Sequence, residues 1–124
     1  MAACVFCNLD QTRYLMENDV AFVVNDINPV TEGHALIIPK RHFADLFDAT
    51  EEENKGLFDL LRKRKEALQA SDNTIDGFNV GVNIGQAAGQ TVFHLHIHLI
   101  PRRKGDIDDP TGGVRGVIPG RRVY

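Results

Sequence analysis

Two short apolar runs near the start of the chain are each bounded by residues that favour turns. The first is Val20–Val24 and the second is Ala35–Ile38, and the segment 25–34 between them contains Asn, Asp, Gly and Pro. Short continuous apolar runs with such boundaries are typical of strands. The pattern therefore predicts two strands that pair as a hairpin, the second of which ends at Pro39.

The next periodic segment predicts one long helix from Glu51 to about Ala70. Thr50 is followed three residues later by Glu53, which is the spacing of a capping box at a helix N-terminus. Several leucines then fall near one face of a 3.6-residue repeat. These leucines are Leu57, Leu60, Leu61 and Leu68.

The second half of the chain alternates between apolar and polar positions. Phe78, Val80 and Val82 alternate with polar residues or glycine, which predicts a strand with one buried face. After a glycine-bounded loop, a last strand is expected over Val92–Ile100. From Pro101 onward, proline and glycine predict an irregular tail laid over a surface. The fold class is therefore α+β with a mostly antiparallel sheet.

Composition limits the class of protein. The 124 residues are 43% hydrophobic and 25% charged, which is typical of a globular protein, and we expect one domain over 1–124 with a core in 1–100 and a tail in 101–124. A net charge of -3 argues against a nucleic-acid partner, although the tail is locally basic. No apolar run is long enough for a bilayer span and no signal-peptide layout begins the chain, so we expect a cytoplasmic protein with no membrane partner.

Three of the five histidines lie within five residues. In a strand, the alternation of the segment 93–99 places Phe93, Leu95, Ile97 and Leu99 on one face and the three imidazoles on the other. The imidazoles are those of His94, His96 and His98. Crowded imidazoles repel one another when protonated, so a solvent-exposed face without function is a poor explanation.

Two kinds of chemistry use such a cluster. Histidines in a His-x-His pattern can bind a metal ion, and a neutral imidazole can attack phosphorus while its neighbours bind the phosphate oxygens. The loop Gly85–Thr91 favours the second, because small residues, backbone N–H groups and a hydroxyl suit an oxyanion. The same glycines are equally typical of a plain turn between strands.

Three blocks of the sequence resemble the histidine triad family. The segment 94–100 is similar to the family's signature of alternating histidines, and 25–42 and 88–92 resemble its two other blocks in the same order. The resemblance covers roughly residues 4–101. It implies an α+β fold with about five mostly antiparallel strands, one long helix and an irregular C-terminal tail.

The resemblance implies a nucleotide hydrolase that acts at the α-phosphate of adenosine-type substrates, either dinucleoside polyphosphates or nucleoside phosphoramidates. His96 would be the nucleophile that forms a covalent nucleotidyl-histidine, with His98 contacting the phosphate and His34 supporting the cluster. The remaining residues implied to bind the nucleotide are Phe6, Leu9, Val24, Asp26, Ile27, Asn83, Gly89, Gln90 and Thr91. A transferase or phosphorylase, a binding protein without turnover, and a metal-dependent oxygenase or phosphodiesterase stay open as alternatives.

The two cysteines, Cys4 and Cys7, have the spacing of half a tetrahedral zinc site, and two unpaired surface thiols are the alternative. Their segment also resembles the opening of bacterial zinc-containing members of the family. His42 and His94 are expected to complete a structural zinc site that the chemical step does not require. The resemblance further implies a homodimer, with the helix and a sheet edge at the two-fold axis. The basic tail is then expected near the partner subunit's site, which would direct Arg102, Arg103 or Arg115 toward the substrate phosphates there.

Overall fold

A five-stranded antiparallel sheet and one long helix form the body of the computed structural model, which describes residues 4–124. The sheet order is β1-β2-β3-β5-β4, and every pair of neighbours is antiparallel. The predicted α+β class is therefore confirmed. The elements are β1 (Met16–Glu17), β2 (Ala21–Asn25), β3 (Ala35–Pro39), α1 (Glu51–Ser71), β4 (Ile75–Gly81) and β5 (Ile97–Arg103).

The predicted hairpin is confirmed and forms the centre of the sheet. β2 and β3 pair with Val24 opposite Leu36 and Phe22 opposite Ile38. Alternate residues of both strands pack on opposite faces, one against α1 and the other against the N-terminal segment. Because both faces are covered, the two strands are continuously apolar.

The predicted helix is also confirmed, with its capping box. The Thr50 hydroxyl accepts a hydrogen bond from the Glu53 backbone N–H at 3.1 Å, and the Glu53 carboxylate accepts one from the Thr50 N–H at 2.9 Å. Gly56 lets the helix approach the sheet, because a Cβ at this position would collide with the Val20 side chain. Leu57, Leu60 and Leu68 are buried beneath the helix.

The expectation of a strand over Val92–Ile100 is wrong at its start, because β5 begins at Ile97. The Leu95 N–H donates to the carbonyl oxygen of Phe43 at 2.7 Å and not to a sheet neighbour. Phe93, expected on one face with Leu95, is 49% exposed, whereas Leu95 is fully buried. His94 and His96 therefore lie on an extended segment that leads into the strand.

The tail begins later than expected, because β5 continues through Pro101 to Arg103. Beyond the strand, 3-10 turns cover Gly113–Val117 and Pro119–Arg121. The Arg122 guanidinium donates to backbone carbonyls of residues 109 and 111, which closes the tail on itself. Among the helices of residues 4–124, none is long and apolar enough to cross a membrane.

Candidate functional site

A cavity of about 420 Å³ lies on the face of the sheet opposite α1. The N-terminal segment, the β2–β3 hairpin and the segment leading into β5 form its walls. The structure brings together here most of the residues that the sequence indicated. These are Phe6, Leu9, Val24, Asp26, Ile27, Asn83, Gly89, Thr91, His96 and His98.

The hydrogen bonds of His96 determine which ring nitrogen carries the proton. Its Nδ1 lies 2.9 Å from the carbonyl oxygen of His94. A carbonyl oxygen only accepts, so Nδ1 donates and the neutral ring keeps its lone pair on Nε2. Among residues 4–124, no hydrogen-bond partner occupies that nitrogen, which is the state a nucleophile needs.

His34 and His98 form a directed pair. The Val30 backbone N–H donates to His34 Nδ1 at 3.0 Å, so the proton of the neutral ring lies on Nε2. His34 Nε2 is 2.9 Å from His98 Nδ1 and donates to it. His98 Nδ1 is thereby an acceptor, and its own proton lies on Nε2, available to a phosphate oxygen.

Burial keeps this pair neutral. Burial lowers the pKa of His34 below its usual range, with Asp26 opposing the shift. Burial also lowers the pKa of His98, and repulsion from His96 and His34 acts in the same direction. Neutral rings match the tautomers that the hydrogen bonds select, so the electrostatics and the geometry agree.

Asp26 lies at the edge of the cavity with two local partners. One carboxylate oxygen accepts from the Asn28 backbone N–H at 2.8 Å, and the other lies 3.4 Å from His34 Nε2. Asp26, His34 and His98 also bring three ligand atoms together. The Val30 N–H argues against a metal there, because it fixes the proton on the His34 nitrogen that would have to coordinate.

The glycine-bounded loop offers fewer free donors than expected. The backbone N–H groups of Gly85, Ala88, Gly89 and Gln90 are all used within the loop. Gly85 and Gly89 have φ of 91° and 96°, which favours glycine at both positions. Polar side chains at the cavity, those of Asn83 and Thr91, are therefore the better donors to a phosphate.

Gln90 is not in the cavity lining. Its side chain is buried, accepts from the Gly85 N–H, and donates to the carbonyl oxygens of Ala44 and Val92. The bonds to Gly85 and Val92 hold the loop together, and the bond to Ala44 ties the loop to the segment before α1. Gln90 therefore stabilises the loop beside the cavity without lining the cavity itself.

The other end of the cavity is apolar. Val24 is buried in its floor, while Ile27 is 75% exposed at its rim. Some lining residues were missed by sequence reasoning. Leu36 lines the cavity because it pairs with Val24 in the neighbouring strand. For the other missed residues, no short sequence pattern indicated a place at the cavity. These are Val5, Arg13, Asn25, Asn28 and Val92.

The arginines expected near substrate phosphates do not line the cavity in their own chain. Arg102 forms a two-pronged ion pair with Asp106 and also donates to Asn79. Arg103 pairs with Asp72 at 2.8 Å. Arg102 therefore stabilises the turn after β5, and Arg103 ties the end of β5 to the segment between α1 and β4.

Next to the cavity, Cys4, Cys7, His42 and His94 form a four-residue cluster that can hold a metal ion. One ligand atom from each residue lies within 4.8 Å of all the others. The Cys7 sulfur is 3.3 Å from His42 Nδ1 and 3.5 Å from His94 Nδ1, and the two nitrogens are 3.1 Å apart. The described part of the chain contains no free cysteine besides these two.

These spacings fit a metal ion with tetrahedral coordination. Bonds of about 2.3 Å to sulfur and about 2.0 Å to nitrogen place a sulfur and a nitrogen about 3.5 Å apart. His94 Nε2 donates to the Pro39 carbonyl oxygen at 2.7 Å, which leaves Nδ1 unprotonated and fixes the ring toward the sulfurs. The donor set of two thiolates and two imidazoles suits zinc.

The three alternating histidines thus do not share one metal. His94 faces the cysteines, while His96 and His98 line the cavity. In residues 4–124, no group of potential ligands contains His96. This arrangement argues against metal chemistry at the triad.

The HIT domain model matches residues 10–105. Adenosine 5'-monophosphoramidase HNT1 of Saccharomyces cerevisiae is 36% identical over 93% of this chain and 70% of that protein. Adenylylsulfatase HINT3 of Arabidopsis thaliana is 36% identical over 83% of this chain, which spans only 54% of that protein. A zinc-bound histidine triad protein structure from Mycobacterium smegmatis has a TM-score of 0.75 and 38% identity, covering 84% of this chain and 78% of that one.

Proposed function

This chain belongs to the HIT domain family, and on that premise we propose that it hydrolyses adenosine-type nucleotides at the α-phosphate through a covalent nucleotidyl-histidine. The substrates are nucleoside phosphoramidates or dinucleoside polyphosphates. The single observation that carries the proposal is the lone pair of His96 Nε2 beside the cavity, selected by the Nδ1 hydrogen bond to His94. The names of the yeast and plant relatives support a nucleotide substrate.

In the first step, His96 Nε2 attacks the α-phosphorus in line with the leaving group. A bond forms between nitrogen and phosphorus, and the bond to the leaving atom breaks with its electron pair. A proton from solvent completes the leaving group. In the second step, water attacks phosphorus, the electron pair returns to Nε2, and the water loses a proton to solvent.

His98 and His34 stabilise the charge on the phosphate through a chain of hydrogen bonds. The His98 Nε2–H donates to a non-bridging oxygen, while His34 holds the other side of the ring. Because His34 can only donate to His98, the His98 proton is kept on the nitrogen nearest the substrate. Asn83 and Thr91 bind the remaining phosphate oxygens.

The nucleoside occupies the opposite end of the cavity. The base lies among Phe6, Leu9, Val24 and Ile27, all in its lining. Asp26 accepts hydrogen bonds from the ribose hydroxyls. The cavity volume of about 420 Å³ lies within the range of about 300–1,000 Å³ that is typical of small-molecule sites.

The metal site has a structural role in this proposal. The two cysteines with His42 and His94 would hold zinc, and four protein ligands leave no position at the metal for a substrate or an activated water. When bound, the ion would anchor the N-terminal segment to the segment that carries His96. The chemical step does not depend on it.

We also propose a homodimer. β4 is an edge strand, and α1 packs on the other four strands. The Val80 side chain of β4 is 45% exposed. Arg64 on α1 has a buried Nε that finds no acceptor among residues 4–124. An unpaired strand edge, together with a helix face that carries a buried nitrogen without an acceptor, favours a second copy of the chain as the partner.

A substrate panel tests the catalytic proposal. Adenosine phosphoramidate, diadenosine polyphosphates and nucleotide sugars are incubated with the protein, and released mononucleotide is measured. The proposal predicts AMP release from at least one adenosine substrate and no requirement for added metal. Binding of AMP without any release would establish a binding protein instead.

A further inference from the structure

The N-terminal segment, residues 4–9, carries both cysteines of the metal cluster and part of the wall of the nucleotide cavity. Cys4 and Cys7 supply two of the four ligand atoms of the cluster. Val5 and Phe6, which lie between the cysteines in the sequence, line the cavity, and Leu9 lines it as well. A movement of this segment would therefore change both sites together.

Phe6 also contacts the segment that carries the proposed nucleophile. The centre of its ring is 5.1 Å from the centre of the His96 ring and 5.8 Å from that of His94, with edge-to-face geometry at both. Phe6 and Leu9 pack against the apolar cluster of β2 and β3 on this face of the sheet. The Phe6 ring thus connects a metal ligand, His94, to the base end of the cavity.

The polar contacts of the N-terminal segment run through sulfur. Within residues 4–124, every contact at hydrogen-bond distance from this segment to the rest of the chain joins a cysteine sulfur to a histidine. The Cys4 sulfur is 3.4 Å from His94 Nδ1, and the Cys7 sulfur is 3.3 Å from His42 Nδ1. The backbone hydrogen bonds of the segment stay within it. Apart from apolar packing, the position of Phe6 therefore depends on the two sulfurs.

The two sulfurs are also placed to react with each other. They lie within 4.8 Å of one another, and the Cys7 backbone N–H donates to the Cys4 sulfur at 3.3 Å, so both side chains lie on one side of the same turn. Cys7 is exposed, which makes it accessible to an oxidant in solution. The sequence contains no third cysteine that could compete within the chain.

We propose that Cys4 and Cys7 are a redox-sensitive modification site that controls the affinity of the nucleotide cavity. The oxidant is a hydroperoxide. The two thiolates give up two electrons and form one S–S bond. The O–O bond of the hydroperoxide breaks and takes up these electrons with two protons from solvent, which yields water and an alcohol, or two waters from hydrogen peroxide.

A disulfide no longer holds the metal ion. The thiolate is the form of cysteine that binds a metal, so oxidation removes two of the four ligands and releases zinc with its charge unchanged. The contacts of the N-terminal segment to His42 and His94 are then lost, and Phe6 and Leu9 loosen at the base end of the cavity. His96 keeps its hydrogen bond to the His94 carbonyl oxygen, so the effect falls on affinity and not on kcat. The inference rests on the nucleotide site of the proposed function.

The test uses the zinc-loaded protein, hydrogen peroxide as the oxidant and AMP as the ligand. Released zinc is measured with a chromogenic chelator, the disulfide by peptide mass spectrometry, and the Kd of AMP by calorimetry. We expect zinc release, a Cys4–Cys7 disulfide and a Kd raised about tenfold or more, because the apolar contacts of one or two side chains contribute this much. A thiol reductant with added zinc should restore all three. Retained zinc, or an unchanged Kd once the disulfide has formed, would overturn the inference.

Two variants check that the cysteines and Phe6 transmit the effect. Peroxide should leave the AMP affinity of Cys4→Ser/Cys7→Ser unchanged, because both thiols are absent. Phe6→Ala should still form the disulfide and release zinc, but its affinity for AMP is already lowered and should respond less to oxidation. An equal response of either variant and the unmodified protein would contradict the inference.

Two further measurements separate the steps and the premise. Reduced protein stripped of zinc by a chelator should bind AMP as weakly as the oxidised protein, and binding as tight as that of the zinc-loaded protein would overturn the link through the metal. If the reduced, zinc-loaded protein binds AMP but releases none from the substrate panel, the proposed hydrolysis fails and this inference stands. If it binds no AMP, both fail.

Discussion

His34 Nε2 lies 2.9 Å from His98 Nδ1, and the bond between them runs in one direction only. The Val30 N–H occupies the other nitrogen of His34, so His34 is the donor. One backbone N–H thus determines the proton position on His98 two residues away in the hydrogen-bond chain. In the proposed mechanism, that proton is donated to the substrate phosphate.

Replacing the donor tests this relationship. His34→Phe keeps an aromatic ring but removes the bond to His98, and should lower kcat about 100-fold with little change in KM, because a loosened catalytic group costs this much. His34→Gln retains a donor and should recover part of the loss. Steady-state kinetics of both variants provide the measurement. Equal activity of His34→Phe and the unmodified protein would contradict the role of His34.

The buried amide of Gln90 should matter for stability before it matters for binding. Gln90→Ala leaves the Gly85 N–H and two carbonyl oxygens without their partner, at a cost of about 2 kcal/mol in the free energy of unfolding. Gln86→Ala, at an exposed position of the same loop, is the control. Urea unfolding measures both. Unchanged stability with a raised KM would mean that Gln90 contacts the substrate.

Metal content tests the cysteine–histidine cluster. Protein purified without chelator should contain about one zinc per chain, and Cys4→Ser/Cys7→Ser should contain little. Loss of the ion should lower Tm by more than about 4 °C. At a low temperature, where the protein stays folded, the same loss should change kcat only slightly. Asn8→Ala, on the same segment, is the control. Less than about a tenth of an equivalent in the unmodified protein would contradict the site.

Acid should weaken the link between α1 and the segment after β3. The Arg41 guanidinium, bonded to Glu53 at 2.8 Å through two nitrogens, lowers the pKa of that carboxyl to about 2 from its usual 4.5. The stabilisation is therefore complete above about pH 4.5 and is lost as pH falls toward 2.

Glu53→Gln should lower the free energy of unfolding at pH 7 by about 1.5–3 kcal/mol, and its difference from the unmodified protein should shrink below pH 4.5. Glu52→Gln, at an exposed neighbouring position, should show neither effect. Urea unfolding from pH 2 to 7 provides the comparison. A difference that is constant across this range would contradict the ion pair.

Local signals predicted the hairpin and α1, because apolar runs and a capping box act over a few residues. The start of β5 could not be predicted in this way. Apolar and polar residues alternate throughout 92–100, but the hydrogen bonds between strands involve only the second part of this segment. In the first part, the Leu95 N–H donates to Phe43, about fifty residues away in the sequence. The two-residue β1 is too short to carry a pattern.

The candidate site could also be predicted only in part from the sequence. The triad spacing pointed to His96 and His98, whereas the tautomer of each ring depends on carbonyl and N–H groups visible only after folding. The sequence indicated Gln90 as a ligand donor. Its hydrogen-bond partner Ala44 is 46 residues away, so no local pattern could reveal that the side chain is used within the protein. Arg13 at the cavity had no sequence signal.

The covalent intermediate on His96 is the most direct test of the central claim. The protein is mixed with adenosine phosphoramidate, quenched in alkaline denaturant to preserve the bond between phosphorus and imidazole, and weighed by intact and peptide mass spectrometry. The account predicts one added AMP unit, located on His96 and absent from His96→Ala, whose turnover falls by several orders of magnitude. Normal turnover by His96→Ala, or an adduct on another residue, would contradict it.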